Sequence, residues 1–361
     1  MIAPLAADDG ALGMGDRASI RAVGSGCRRR AGLLLPALLG ALGVLVVVLA
    51  ASILTGPRSI DLATGIQAFV AYDATNVDHV VVRAYRVPRM LLGLLCGSAF
   101  GVAGALIQAM TRNPLADPGL LGVNAGAAFF VTLAVGVFGW HSISAYMWFA
   151  LFGAIVVATL VHTIGTAGRG GAEPARLILA GVALSAVLGG LGMSISLIDP
   201  TTFNGMRHWA IGSIGGRDMT VVLTAAPVIL LGLVLAVAVA GSLNSIALGD
   251  DLAQAFGTRL AHLRIGVVVA VTLLAGGATA AAGPITFVGL MVPHAVRLLT
   301  GPDQRWIIAF TIVLSPILLL GADLAGRFIL YPDELEAGIL TACIGAPVLI
   351  LLARRREALA S

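Results

Sequence analysis

Long apolar segments recur along almost the whole chain, and they constrain its fold more than any other feature. A helix needs about 20 apolar residues to cross the hydrocarbon core of a bilayer, and ten segments reach or approach that length. Only 11% of the 361 residues are charged, compared with roughly 25% in a soluble domain. The sequence therefore predicts an all-α, polytopic membrane protein with ten transmembrane helices. The segments cover about residues 31–54, 89–110, 119–138, 145–166, 176–198, 220–241, 263–282, 284–300, 306–324 and 337–352.

The distribution of arginine predicts how the chain is oriented. All 22 basic residues are Arg, and basic residues are enriched in cytoplasmic loops. Arginines cluster before the first segment and after the last, so both termini are predicted to be cytoplasmic, with 15 Arg inside and 7 outside. We expect residues 1–30 to form a disordered cytoplasmic tail. Residues 31–356 would form the transmembrane domain, and residues 357–361 a short cytoplasmic tail.

Seven arginines lie on the predicted outer side, where basic residues are normally depleted. Their presence there therefore requires an explanation. An acidic surface of another molecule could dock on them. Alternatively, they snorkel or pair with acidic residues of the same chain. Composition alone leaves both interpretations open. The seven are Arg58, Arg83, Arg86, Arg89, Arg207, Arg217 and Arg327.

The chain contains no lysine, which argues against ATP hydrolysis, because a nucleotide-binding P-loop needs a Lys on the phosphates. Ionisable groups in the interiors of the predicted spans are few, chiefly His294, Arg297 and Asp323. Carriers driven by ion gradients usually place such groups near the bilayer centre. A self-powered carrier or channel is therefore the less favoured alternative. We expect a separate ATPase to supply the energy.

No catalytic or metal site is predicted. The three Cys and six His are scattered, without the spacing of metal ligands. The predicted spans hold no paired carboxylates and no His–Glu pair, so an intramembrane enzyme is disfavoured. We expect this chain to bind no metal and no cofactor.

A short connection between the sixth and seventh spans, residues 248–257, predicts a short amphipathic helix. Two acidic residues suit its N-terminus, three apolar residues at i, i+3 and i+4 share one face, and a glycine ends it. The helix could lie on the bilayer or enter a groove of a partner, and residue chemistry leaves these equal. The residues are Asp250 and Asp251, then Leu252, Ala255 and Phe256, and finally Gly257.

Two further patterns concern packing and a possible pathway. Gly93, Gly97 and Gly101 recur at four-residue intervals in the second span, which predicts one helical face packed closely against another helix. Residues 203–213, after the fifth span, predict an interfacial helix at an outer mouth. Trp209 in this helix either lines a pathway or belongs to the aromatic belt of the membrane interface.

Several long blocks, in the same order, resemble the FecCD family. They run from Arg86 to Met90, from Gly104 to Gln108, from Thr111 to Gly126, from Arg176 to Leu184 and from Gly283 to Arg297. The resemblance covers about residues 31–356. FecCD proteins are the permease subunits of bacterial type II ABC importers for iron–siderophores, haem and vitamin B12.

The resemblance implies a ten-helix subunit in the bacterial inner membrane that works by alternating access. Its partners would be a second permease, identical or related, two cytoplasmic ATP-binding subunits that hold ATP–Mg, and a periplasmic binding protein, with no nucleic acid. Residues 248–257 match the family's coupling helix, which enters a cleft on the ATPase. Arg86 and Arg327 match outer arginines that receive acidic side chains of the binding protein.

The resemblance also bears on the pathway and the substrate. The fifth span and its extension over residues 203–213 would line the pathway, and Met193, Ser196 and Trp209 are candidates there, with packing as the alternative. The block from Thr111 to Gly126 is more similar to siderophore permeases than to haem or vitamin B12 permeases. An iron–siderophore complex is therefore the favoured substrate, with haem and vitamin B12 as alternatives.

Overall fold

The computed structural model describes residues 14–140, 142–167, 174–247, 249–255, 257, 259–330 and 333–360. These residues form helices joined by short connections, and no strand occurs among them. The all-helical fold class predicted from the sequence is thus confirmed. The helices are α1 (Met14–Leu54), α2 (Leu62–Val70), α3 (Val77–Val80), α4 (Val87–Thr111), α5 (Val123–Gly136), α6 (Ile143–Thr166), α7 (Pro174–Ile198), α8 (Pro200–Ile211), α9 (Met219–Ile246), α10 (Asp250–Ala255), α11 (Leu260–Ala282), α12 (Val288–Thr300), α13 (Gln304–Ile329) and α14 (Ala337–Ala360).

Each of the ten predicted apolar segments coincides with one of these helices. Seven helical stretches in the described residues are long and apolar enough to cross a membrane. Three more are apolar but shorter, within α5, α12 and α14. A turn of π-helix, Val81–Arg86, joins α3 to α4 and makes one continuous helical stretch from residue 77 to residue 111.

The helices at both ends of the described chain extend beyond the predicted apolar segments. α1 begins at Met14, before the first apolar segment, and α14 continues to Ala360. Residues 1–13 and Ser361 lie outside the described residues. Alanine and arginine favour helix, so both apolar helices extend through their polar flanks.

The centre of the fold is built from α4, α11 and α13. About 78% of the apolar window is buried in the stretch that contains α4 and in α11, and 61% in α13, compared with 6% in α1 and 11% in α7. α1 and α7 therefore lie at the periphery of the subunit. Their exposed apolar faces suit lipid or another membrane-spanning subunit.

The predicted glycine face of the second span lies against α13. A Cβ on Gly97 would come within 2.6 Å of the Cα of Pro316, and one on Gly101 within 1.9 Å of the Ser315 hydroxyl oxygen. A Cβ on Gly93 would meet the Leu320 side chain at 2.3 Å. These contacts are possible only because glycine has no side chain, so the backbones of α4 and α13 approach closely.

The same face of α4 continues towards α12. A Cβ on Gly104 would lie 1.8 Å from the carbonyl oxygen of Gly289. Gln108, one turn further, donates from its side-chain amide to the same oxygen at 3.0 Å. This close contact fixes the start of α12 beside the C-terminal half of α4.

Candidate functional site

A buried carboxylate holds two arginines together at the predicted outer end of the fold. Asp323, in α13, is 1% exposed. It accepts hydrogen bonds from Arg89 Nη2 at 2.7 Å and from Arg327 Nη2 at 2.6 Å. Arg89 lies in the first turn of α4, and Arg327 lies one turn after Asp323 in α13. Burying a charge is costly unless it is paired, and these arginines supply the pairing.

Arg89 extends this cluster to the connection that precedes α14. Its Nη1 donates to Glu334 at 2.5 Å, and the Glu334 side chain is 31% exposed. Arg89 therefore links three parts of the chain: α4, α13 and the segment before α14. The sequence left pairing within the chain open for Arg89, as for the other outer arginines, but it did not name these partners. The family resemblance singled out Arg86 and Arg327 instead.

Arg86 and Arg327 hold the C-terminal end of α1. Arg86 Nη1 donates to the carbonyl of Ile53 at 2.6 Å, and Arg327 Nη1 donates to the carbonyls of Ser52 at 2.9 Å and Thr55 at 2.8 Å. The last carbonyls of a helix have no partner within the helix, and a cation there also offsets the negative end of the helix dipole. Each guanidinium group therefore caps α1.

Both arginines are buried, at 6% and 3% exposed, yet they border open space. With Arg89 they line an outer cavity of about 340 Å³. An acidic group could reach them only by entering this cavity, and not by resting on a flat surface. The cavity is also lined by Gly56, Pro57, Arg58, Val81, Tyr85, Gly216 and Glu334.

The predicted cytoplasmic helix exists as α10, a helix of six residues. Leu252 is 53% exposed and Ala255 is exposed, whereas Ala253 is fully buried. Gly257 has φ +81°, which suits the predicted stop. Phe256, the third residue of the predicted apolar face, lies outside the described residues, as does residue 248.

The two acidic residues at the start of α10 have different surroundings. Asp250 accepts a hydrogen bond from Arg264 Nη2 of α11 at 2.7 Å and lies 3.7 Å from Arg112 Nη2. Arg112 follows α4 in the left-handed conformation, with φ +53°. Glycine is the usual residue in that conformation, and the arginine there directs its side chain towards Asp250. Asp251 is exposed.

The three pathway candidates lie in dissimilar surroundings. Met193 is 51% exposed on α7, and Ser196 on the same helix is 6% exposed and donates to the carbonyl of Gly192 at 2.9 Å. Trp209, in α8, is 3% exposed. The three side chains therefore differ widely in exposure, and their role in a pathway stays a prediction.

Among the described residues, no group of three His, Cys, Asp or Glu side chains could hold a metal ion. Cys96 and Cys343 are free thiols.

The outer cluster consists of Arg89, Asp323, Arg327 and Glu334. It was not predicted from the sequence because Arg89 is far from the other three residues along the chain. A signal nevertheless existed: Asp323, a lone carboxylate in an apolar span with Arg327 one helical turn away, required a cationic neighbour.

Comparison with known proteins identifies the family. The FecCD transport family matches residues 44–355. The ferric enterobactin transport system permease protein FepD of Escherichia coli K12 is 44% identical over 318 residues, which cover 88% of this chain and 94% of that protein. The probable siderophore transport system permease protein YfiZ of Bacillus subtilis 168 is 36% identical over 312 residues, covering 86% of this chain and 93% of that protein.

A solved structure has the same architecture. It is a metal-chelate type ABC transporter in an inward-facing conformation, with a TM-score of 0.79 and 27% identity, covering 89% of this chain and 99% of that chain. The family match at residues 44–355 includes α2 to α13 in full. The chain is therefore a member of the FecCD transport family.

Proposed function

We propose that this chain is the permease subunit of an ATP-driven importer that moves an iron–siderophore complex from a periplasmic binding protein into the cytoplasm. The observation that carries the proposal is the 44% identity, over 88% of the chain, to a ferric enterobactin permease. The second relative described above is also a siderophore permease by name. Haem and vitamin B12 are alternative substrates for the same fold.

The proposed topology has ten membrane crossings and both termini in the cytoplasm of the bacterial inner membrane. It is supported by seven spanning helices and three shorter apolar helices in the described residues. α5 and α12, at 14 and 13 residues, are shorter than a full span of about 20 residues. We infer that they cross by using the adjacent non-helical segments, such as the 3₁₀ turn Pro118–Leu121 before α5. The apolar part of α14 is also short, but the helix itself has 24 residues.

We infer that ATP is hydrolysed by two separate subunits and that α10 couples them to this chain. The exposed side chains of Leu252 and Ala255 suit a groove on an ATPase. Phe256, which follows them in the sequence pattern, is proposed to bind the ATPase as well. Asp250 ties α10 to α11 through Arg264. A displacement of α10 by the ATPase would thus be transmitted to the centre of the fold, so that alternating access follows ATP binding.

We infer the other partners from the family and from the exposed surfaces of the subunit. A second permease, identical or related, would cover the exposed faces of the peripheral helices. An acidic side chain of the binding protein would enter the outer cavity and approach Arg86 and Arg327. Met193, Ser196 and Trp209 remain the pathway candidates, and Trp209 also lines a cavity of about 260 Å³.

The test is uptake into proteoliposomes that hold this chain with its partner permease and ATPase, supplied with the binding protein. We expect ATP-dependent uptake of a ferric siderophore, and no uptake of haem or cobalamin at the same concentration. Uptake by this chain alone, driven by an ion gradient, would contradict the proposal. Uptake of haem or cobalamin in preference to every siderophore tested would move the chain to another branch of the family.

Asp250 and its neighbour Asp251 provide a matched pair of variants for the coupling step. Asp250→Asn should lower the amount imported per ATP hydrolysed about fivefold or more, the usual lower limit for a coupling between two sites. Asp251→Asn, which removes the same charge from an exposed position, should import normally. Equal efficiency of the two variants would remove the assigned role of Asp250.

A further inference from the structure

A second outer cavity, of about 260 Å³, lies beside the end of α8. The proposed docking of the binding protein does not use it. Its walls come from the start of α6, the last turn of α8, the loop before α9 and the residue before α14. The lining residues are Ile143, Tyr146, Trp209, Ser213, Gly215, Arg217 and Glu336.

Hydrogen-bond donors dominate this lining. The indole Nε1 of Trp209 and the Nε of Arg217 are buried and have no hydrogen-bond partner among the described residues. Trp209 is 3% exposed and Tyr146 is 7% exposed. A buried indole N–H normally finds an acceptor, and within the described residues no carboxylate lies within 4.0 Å of the Arg217 guanidinium group.

We propose that this cavity binds an anionic oxygen group, a carboxylate or a catecholate, on the chelate that the importer carries. This inference rests on the proposed function. Arg217 presents a planar fork of donors that matches two oxygens of such a group. The Trp209 and Tyr146 side chains add donors from buried positions. At about 260 Å³ the cavity is smaller than a typical pocket for a whole ligand, so it would take one arm of the chelate.

Glu336 is the one carboxylate among the lining residues, and it would repel the same group. Conduction requires a site that binds strongly enough to admit the cargo and weakly enough to release it. A cation and an anion in one cavity meet this requirement, because the carboxylate limits how firmly Arg217 retains an oxyanion. The proposal therefore gives opposite signs for the effects of neutralising these two residues.

The test is a calorimetric titration of the purified full-length chain with 2,3-dihydroxybenzoate, a catechol carboxylate, and with its uncharged amide as the matched probe. We expect the carboxylate to bind more tightly than the amide. Arg217→Gln should weaken binding of the carboxylate about tenfold, as for loss of one charged hydrogen bond. Glu336→Gln should strengthen it. Arg207→Gln, at an exposed position in α8, should bind as the unmodified chain does.

Two further measurements keep the proposal falsifiable. Arg217→Lys preserves the charge but not the planar fork, so it should lose part of the affinity for the carboxylate. This variant replaces Arg217→Gln as the test if Arg217→Gln fails to fold. Quenching of tryptophan fluorescence by the carboxylate should disappear in Trp209→Phe. Equal binding of carboxylate and amide, unchanged binding in both Arg217 variants, or quenching that persists in Trp209→Phe would overturn the proposal. Because these titrations need neither ATP nor a partner, they separate failure of this site from failure of the proposed transport.

Discussion

Replacing Asp323 by Asn should destabilise the protein more than any other single loss of charge at the outer end. The carboxylate is 1% exposed and serves two guanidinium groups. Removing one partner of a buried pair costs about 3–5 kcal/mol, because the other charge stays buried without compensation. Arg89 would keep Glu334 as a partner, whereas Arg327 would keep only neutral acceptors at the end of α1. Only the Arg327 guanidinium group is left buried without a charged partner, so the free energy of unfolding should fall by the cost of one unpaired charge, about 3–5 kcal/mol.

The assay is denaturant unfolding of the full chain in detergent micelles, followed by tryptophan fluorescence. Glu334→Gln is the matched control, since it removes a carboxylate from the same arginine at a position where the side chain is 31% exposed. It should cost no more than about 1 kcal/mol. The double variant Asp323→Leu with Arg327→Met removes both charges and should recover much of the loss. The reasoning would be refuted if Asp323→Asn and Glu334→Gln had equal effects.

Two more predictions concern packing and pH. Gly104→Ala should destabilise the fold by at least about 1–3 kcal/mol, because its Cβ would lie 1.8 Å from the Gly289 carbonyl oxygen. The control in the same unfolding assay is Gly189→Ala in α7, whose Cβ would have no atom within 4 Å. This control should be neutral or stabilising. Burial raises the pKa of Asp117, against the lowering effect of its hydrogen bond from the Gly119 N–H. The native carboxyl thus favours its protonated form, and its contribution to stability is lost as pH rises through the folded pKa. Asp117→Asn should be more stable than the unmodified chain at pH 7, and thermal unfolding should show this gain shrinking towards pH 4, whereas a gain independent of pH would contradict the assignment.

The helices could be predicted from the sequence because their signal is local. An apolar run of about 20 residues predicts a transmembrane span whatever the rest of the chain contains. In the same way, the glycine spacing in the second span predicts one closely packed helical face. The apolar part of α1, Gly32–Leu54, agrees with the predicted span of residues 31–54, whereas the helix itself begins earlier. Composition marks where the apolar run begins, but helix propensity carries the helix further, to Met14.

The outer cluster could not be predicted in the same way. Arg89 and Asp323 are 234 residues apart in sequence, so their contact depends on how α4 packs against α13. The glycine face of α4 predicts close packing but does not name the partner helix. Without that pairing, the seven outer arginines were equivalent, and the two chosen by family resemblance proved to cap α1.

The position of Arg86 and Arg327 changes what a mutation at either site can mean. Their guanidinium groups satisfy carbonyls at the end of α1, so substitution by Glu would place a negative charge against the negative end of a helix dipole. A loss of binding-protein affinity in such a variant would therefore report a damaged outer face as readily as a missing contact. An acidic side chain that enters the cavity must also compete with Asp323 for Arg327 and with the Ile53 carbonyl for Arg86. Docking there should depend on the summed positive potential of the cavity and act chiefly on the association rate, which is sensitive to salt. The rate of association at low and high ionic strength thus distinguishes docking in the cavity from the structural role of the same residues.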